Sequence, residues 1–328
     1  MGPEAVKERG LEELTYAINE NVGLIVVDNL YELKLLKELT QNIDHQIRIM
    51  IRINPDVETH THSYIQTARV ESKFGISIYD LNTIDEMLDV IKRTTNLKLV
   101  GFHSHIGSSL MDEVSFKDEI SKMVAFQNEI NNQYHLCLYE LNIGGGFGIN
   151  YQRTDKALPI CEMMNYVVGF LEEEISTTHS LINHVYIEPG RSIVGNAGIT
   201  LYSISQIKPT ITDKLYLFID GGMADNIRPA LYDAIYEVDV VDKFNEKKEL
   251  KVDVVGKCCE SGDFIRHDVL VPQVVEGDIL VVYSTGAYNY SMASNYNNML
   301  KPAMIRVSKD TVKIVSKKEE LKDLMRLF

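Results

Sequence analysis

Between residues 11 and about 190 the chain alternates short, branched apolar runs with longer stretches in which apolar residues recur every three or four positions. The runs GLIVVD (23–28), IRIMIRINP (47–55), LKLVGFHSH (97–105), LCLYELNIGGG (136–146) and HVYIEPG (184–190) read as β-strands. They are rich in Val, Ile and Leu with little alternation, as parallel strands covered on both faces are. The stretches between them, such as 30–39, 115–131 and 160–175, read as helices with one apolar face. Strand and helix alternating in this way predict a parallel sheet, either doubly wound or closed into a barrel.

Beyond about residue 196 the texture changes. ITLYSISQIK (199–208), LYLFIDGG (215–222), KVDVVG (251–256), DILVVYSTGAY (278–288) and PAMIRVSKDTVKIVS (302–316) are strand-like, with turn residues between them, and predict an antiparallel β domain. Two domains are therefore expected, residues 1–195 and 196–328, with no internal repeat and no low-complexity linker.

The ends of the first five strands favour the barrel. Asp28-Asn29, Asn54-Pro55, 103–108, 144–148 and 188–191 are all polar or glycine-rich. In a (β/α)8 barrel that end carries the active site, and phosphate sites favour the loops after the last two strands. GGGFG and PGRS follow the last two strands in this sequence. Five strands are legible where a barrel has eight, so roughly three β/α units are expected to be missing from the front.

Composition narrows the partners. The 328 residues are 45% hydrophobic and 24% charged, with a net charge of -14. That balance leaves no basic face to neutralise phosphates and argues against nucleic acid or an anionic membrane as partner. No apolar run approaches the roughly 18 residues of a membrane span, and the polar start MGPEAVKERG is unlike a secretory signal. Cys137, Cys161, Cys258 and Cys259 lack CxxC spacing, which suggests neither a disulfide framework nor a zinc site. A cytoplasmic protein is expected.

The chemistry concentrates in four motifs. Gly144, Gly145, Gly146 and Gly148 offer backbone N–H groups with no side chain to block a phosphate, although glycines in a turn also serve structure alone. In EPGRS, Glu188 at a strand end precedes Arg191. The pair reads as a surface ion pair, or as a carboxylate that keeps a heteroaromatic nitrogen protonated beside an anion-clamping arginine. HSHIGSS places His103 and His105 on one side of a strand, where an imidazole stacked on a flat cofactor fits better than a metal pair without matching carboxylates. His60 and His62 read as a structural or peripheral pair in a loop. In GKCCESGD, Cys258 reads as a small buried hydrophobe, whereas a thiol beside Glu260 in a loop is a candidate proton donor. IRPALYDAIY and TGAYNYSMASNYN gather Arg, Tyr, Ser and Asn in loops of the second domain.

Taken together, GFHSHIGS, LNIGGGFG, IEPGRSIVGNAG, DGGMADNIRPALY, GKCCESGDF and GAYNYSMASNYN closely resemble the signatures of the diaminopimelate decarboxylases, in the same order. RINPDVETHTHSYIQT and ESKFG, from Arg52 to Gly75, resemble that family too, with Ser63 where proline is common. The resemblance spans residues 11 to 328. It implies a fold-type III pyridoxal-phosphate enzyme, with an alanine-racemase-like barrel and a β domain, acting as a homodimer with shared active sites. The implied reaction removes the carboxylate at the D-centre of meso-diaminopimelate, giving L-lysine and CO2.

The resemblance also implies roles. His105 would stack on the pyridine ring, and Gly144, Gly145 and Gly146 would hold the phosphate with Ser108. Glu188 would pair with the pyridine nitrogen, with Pro189, Gly190 and Arg191 of the same turn also in the cofactor site. Arg191, Arg228 and Tyr232 would contact substrate, Cys259 would return a proton to the α-carbon, Glu260 would read the distal amine, and Tyr288 would touch cofactor and substrate. No metal is implied, and Cys259 and Glu260 would serve the partner subunit's site. The family's cofactor-bearing lysine ends the first barrel strand in a motif like YAVKAN. No such motif occurs in this sequence, and the expectation is a chain that opens at the helix before the fourth strand. The competing readings are a non-catalytic truncated homologue, and a decarboxylase of another amino acid such as ornithine, arginine or a carrier-bound residue.

Overall fold

The structure, a computed structural model, describes residues 10–57, 72–212 and 214–326. His60, His62 and Ser63 lie outside the described residues. The chain divides into two compact units, one built from 1–148 and 157–190, the other from 149–156 and 191–328.

The first unit runs α1 (Leu11–Asn19), β1 (Ile25–Val27), α2 (Leu30–Leu39), β2 (Ile47–Asn54), β3 (Ile76–Ser77), α3 (Leu81–Lys92), β4 (Leu97–His103), α4 (Val114–Tyr134), β5 (Glu140–Asn142), α5 (Ile160–Thr177) and β6 (His184–Tyr186). Local chemistry sets the helix starts: the Asn29 side chain accepts the Glu32 N–H to open α2, and Asp80 accepts the Thr83 N–H to open α3. The strands pair in parallel in the order β1-β2-β4-β5-β6, with the two-residue β3 beside the end of β2. A doubly wound sheet reverses its order at a switch point, but here each new strand joins the same growing edge, as in a barrel.

β2 departs from the expected lack of alternation. Ile47, Ile49, Ile51 and Ile53 belong to the large core that α1 to α5 also supply, whereas Met50 joins Leu24, Val26 and Val100 in a separate small cluster. Strand geometry puts Arg48 and Arg52 on the Met50 side, because alternate residues face opposite ways. One face of the sheet is thus apolar beneath helices, and the other carries a polar set. Arg48 donates to Glu140, and the Tyr186 hydroxyl donates to the same carboxylate.

One member of the helix-side core is a carboxyl. Glu119 of α4 is fully buried, accepts the Ser104 hydroxyl at 2.6 Å and is pushed by burial from an ordinary 4.5 up to about 8. Below about pH 4.5 this group is protonated in the folded and the unfolded chain alike. Between there and pH 8 the unfolded chain releases the proton and the folded chain keeps it, so stability falls as pH rises through that window. Glu119→Gln is expected to flatten the decline by a few kcal/mol, measured as denaturant unfolding at about pH 5 and about pH 9. Equal declines in the two proteins would contradict a carboxyl held neutral.

The second unit carries β7 (Thr200–Pro209), β8 (Leu215–Ile219), β9 (Val238–Val240), β10 (Leu250–Val255), β11 (Phe264–Val271) and β12 (Ile279–Val282) in the order β11-β10-β8-β7-β12-β9. Its pairings are antiparallel except that β8 and β10 run parallel. β13 (Met304–Ser308) and β14 (Thr311–Ser316) form a separate hairpin. Tyr202, Leu217, Ile219, Tyr236, Val252, Val254 and Leu280 make the core of this unit. The short α6 (Arg191–Val194) and α7 (Arg228–Tyr232) each begin with an arginine that is nearly fully buried.

Candidate active site

In the first unit, sheet register assembles one polar row. Arg52 of β2 stands opposite His103 of β4, and His103 opposite Asn142 of β5. All three side chains are buried, with Arg52 at 2% exposure. Glu188, just past β6, completes the set: the Asn142 amide donates to its Oε1 at 2.8 Å, and His103 Nε2 lies 3.3 Å from that oxygen, an ion-pair distance without hydrogen-bond alignment. Burial pushes the Glu188 carboxyl up, but the His103 imidazole, the Asn142 amide and His105 outweigh it and hold the group below the usual carboxylate range. Burial also pushes His103 below the usual imidazole range, with the Arg52 charge adding to it.

Arg52 has Asp28 at 3.6 Å and the Phe74 ring at 4.9 Å, yet its Nη1 and Nη2 are buried without a hydrogen-bond partner among the described residues. Buried donors of this kind are costly unless something accepts from them, which marks the row as a place for a polar guest. The strand ends above it form a bare cradle. Gly144 (φ +65°) and Gly146 (φ +102°) adopt left-handed backbone that only glycine takes without strain. A side chain at Gly145 would strike the Glu188 carbonyl at 2.1 Å. The Gly145 N–H donates to His105 Nδ1 at 3.1 Å, which in the neutral ring leaves the proton on Nε2. The Glu188 N–H donates to the Gly144 carbonyl at 2.7 Å. The three motif turns around His105, Gly144 and Glu188 are therefore neighbours, with half-buried Ser108 on the first and Pro189 and Gly190 on the last.

β4 ends at His103, so His105 sits in the following turn rather than on the strand. A flat heteroaromatic ring bearing a phosphate fits this donor set: an imidazole for its face, an ionised carboxylate for a ring nitrogen, and side-chain-free backbone for the phosphate.

The second unit gathers another set around Tyr151. Arg191 donates from Nη1 to the Tyr151 hydroxyl and lies 4.6 Å over the Tyr288 ring. Arg228 lies 5.8 Å from the Tyr151 ring and 5.3 Å from that of Tyr232. Its Nε donates to the Tyr236 hydroxyl at 2.8 Å, and that hydroxyl reaches Asn289 at 3.4 Å. Tyr151 itself is pinned by its N–H to Asp155 and by the Glu237 N–H to its carbonyl. Two buried guanidinium groups flank one tyrosine, an arrangement suited to anionic ligands.

Cys259 and Glu260 lie exposed on the loop between β10 and β11, with the Tyr296 hydroxyl donating to Glu260 at 3.3 Å. Cys258 is half-buried, and burial together with the Asp263 charge pushes its thiol up to about 11. Arg52, Asn142, Tyr151, Tyr236 and Asn289 carry no role in the sequence reading. For Arg52 a signal was present, an arginine at an alternating position of an otherwise isoleucine-rich strand. Tyr151 follows GGGFG by three residues without any pattern of its own.

Residues 5–195 match the family model described as pyridoxal-dependent decarboxylase, pyridoxal binding domain. The chain is similar to the diaminopimelate decarboxylase of Bacillus subtilis (strain 168), 40% identical over 96% of this chain and 72% of that protein. It is similar in structure to diaminopimelate decarboxylase from Helicobacter pylori complexed with L-lysine, with a TM-score of 0.86, 30% identity and coverage of 97% of this chain and 76% of the other. The enzyme from M. jannaschii, also solved with L-lysine, gives a TM-score of 0.87 at 30% identity, covering 96% of this chain and 71% of that one.

Proposed function

The chain belongs to the diaminopimelate decarboxylase family of pyridoxal-dependent decarboxylases, and on that premise we propose how its own residues divide the reaction. The reaction is loss of CO2 from meso-diaminopimelate to leave L-lysine. Pyridoxal phosphate, when bound, supplies an electron sink for the pair left behind as CO2 departs.

Gly144, Gly145 and Gly146, with Ser108 and the Pro189-Gly190 turn, would hold the phosphate. The imidazole of His105 would cover the ring, and Glu188 would keep the ring nitrogen protonated. Glu188, ionised within the buried polar row, is the observation that carries this reading, because a neutral carboxyl could not keep a proton on that nitrogen. Arg52 supplies a fixed positive charge at the same row. Arg191 and Arg228 bind and orient the two carboxylates of the substrate, Arg228 at the end that does not react. Tyr232 and Tyr288 pack beside them. Glu260 reads the distal amine. Cys259 gives its thiol proton to the α-carbon and recovers it from solvent. Two copies of the chain are proposed to act together, each lending Cys259 and Glu260 to the other, in keeping with the exposure of both residues on one loop. No helix among the described residues is long and apolar enough to cross a membrane. We propose a cytoplasmic enzyme, in keeping with four free thiols.

Glu260→Gln tests the substrate assignment. It is expected to raise KM for diaminopimelate about tenfold to a hundredfold, as loss of a charge-assisted contact does. It should leave kcat less affected and narrow the preference for diaminopimelate over analogues that lack the distal amine. Arg228→Gln should weaken use of diaminopimelate in the same way, against analogues lacking the distal carboxylate. Unchanged discrimination in both would remove these residues from the substrate's far end. A preference for ornithine or arginine in the unsubstituted enzyme would replace the substrate.

A further inference from the structure

Asp263 closes the GKCCESGD motif and has no part in the reaction as assigned above. It is buried, at 3% exposure, in a loop that is otherwise largely exposed. Its two carboxylate oxygens accept from two different loops. Oδ2 takes the Cys258 N–H at 2.8 Å, one residue before Cys259 and two before Glu260. Oδ1 takes the Met223 N–H at 2.6 Å, in the turn that leads through Asn226 into Arg228 and Tyr232.

Main-chain bonds close the same knot: Lys257 N–H to Gly221 carbonyl at 3.1 Å, Gly256 N–H to Asp263 carbonyl at 2.9 Å, and Asp263 N–H to Glu260 carbonyl at 3.1 Å. The backbone is cut to fit the carboxylate. For a side chain at Gly256 the three nearest atoms would all be those of Asp263, the closest at 2.2 Å, and one at Gly222 would meet the same carboxylate at 2.5 Å.

From this geometry we propose that Asp263 is a positioning residue that locks the Cys259-Glu260 loop to the loop entering Arg228, so that the proton donor and amine reader lent to the partner's site keep a fixed spacing from the carboxylate reader of the chain's own site. The proposal rests on the roles given to Cys259, Glu260 and Arg228 above. One buried charge with an N–H from each loop is well suited to this. Charge-assisted bonds to backbone donors are short and directional, and here a single buried carboxylate supplies both of them. A change in either loop is then felt by the other, because both share one acceptor group. Because the Cys259 loop is proposed to serve the partner's site while Arg228 serves the chain's own, the lock also ties the two sites of a pair together.

Hydrogen exchange of the cofactor-loaded enzyme, read by peptide mapping, tests the lock without reference to turnover. In Asp263→Asn the amides of 222–224 and 257–260 are both expected to exchange at least about tenfold faster, the effect of losing a charge-assisted bond to a backbone amide. β2 and β12 should stay unchanged. Gly256→Ala, whose new methyl displaces the carboxylate without removing it, should loosen the same two segments, and it serves if Asp263→Asn does not fold. Steady-state rates supply the second readout: KM for diaminopimelate should rise severalfold and kcat fall in both variants. Loosening confined to 257–260, or spread evenly through the β unit, overturns the proposal, as does an unchanged KM with both segments loosened. Failure of the underlying site roles is read separately, from Cys259→Ala and Arg228→Gln retaining full activity.

Discussion

Glu188→Gln is expected to lower kcat by about a hundredfold to a thousandfold, the range seen when one preorganised electrostatic partner is taken from an active site. The substitution keeps the size of the side chain and an oxygen for the Asn142 amide at 2.8 Å, so the row of Arg52, His103 and Asn142 keeps its packing. Only the charge is lost. An ionised Glu188 would hold a proton on the ring nitrogen of the cofactor, as proposed, and a protonated ring would draw away the electron pair left by CO2 far better than a neutral one. Glutamine can donate to that nitrogen or accept from it but cannot keep the proton there. Cofactor affinity should change much less, since the Gly144 to Gly146 turn proposed to hold the phosphate and the imidazole of His105 are untouched. Glu188→Gln retaining full kcat with cofactor bound would show that the carboxylate does not serve the ring nitrogen.

The strands of the first unit were legible because burial beneath helices demands branched apolar residues, and those dominate each run. Their lengths were less legible. The run 136–146 yields only Glu140–Asn142 as paired strand, because Leu136 and Leu138 pack in the approach to the sheet and 143–146 belong to the turn. β3 was missed, since two residues leave no period to read. In the second unit β9 and β11 were missed as well. VDV is three residues long, and FIRHDVLV mixes exposed polar residues into its course as a sheet-edge strand does.

Site residues divided along the same line. Glycine turns, EPGRS and CCESGD announce themselves because their residue types are unusual at strand ends and loops. Arg52, Asn142 and Tyr236 act through register and burial, and neither is written in local spacing. Arg52 meets Asn142 only through two strand pairings across the sheet, and Tyr236 reaches Arg228 across an eight-residue turn. The alternation within IRIMIRIN was the one available clue. It was obscured by isoleucine at every other position, which makes a half-polar strand look apolar throughout.

The adjacent cysteines should part company when each is replaced. Cys259→Ala is expected to lower kcat by about a hundredfold to ten-thousandfold, the usual cost of deleting a positioned acid, with cofactor affinity nearly unchanged. Cys258→Ala should lie within about threefold of the unsubstituted enzyme, as expected of a side chain that takes part in no bond change. The environments differ in the direction this requires. Cys258 is half-buried, with Asp263 beside it, and both burial and that negative charge push its thiol up to about 11, well above the range in which a thiol gives and regains a proton readily near neutrality. Cys259 is exposed, one residue from Glu260, where solvent can restore the proton after each turnover. The lock at Asp263 uses the Cys258 main-chain N–H, so Cys258→Ala leaves that bond in place. Rates for both variants, together with deuterium incorporation in D2O at the ε-carbon of the lysine product, the carbon that lost CO2, distinguish the two thiols. A silent Cys259→Ala beside a crippled Cys258→Ala would move the proton donor one residue back and require the loop to turn its buried thiol outward during catalysis.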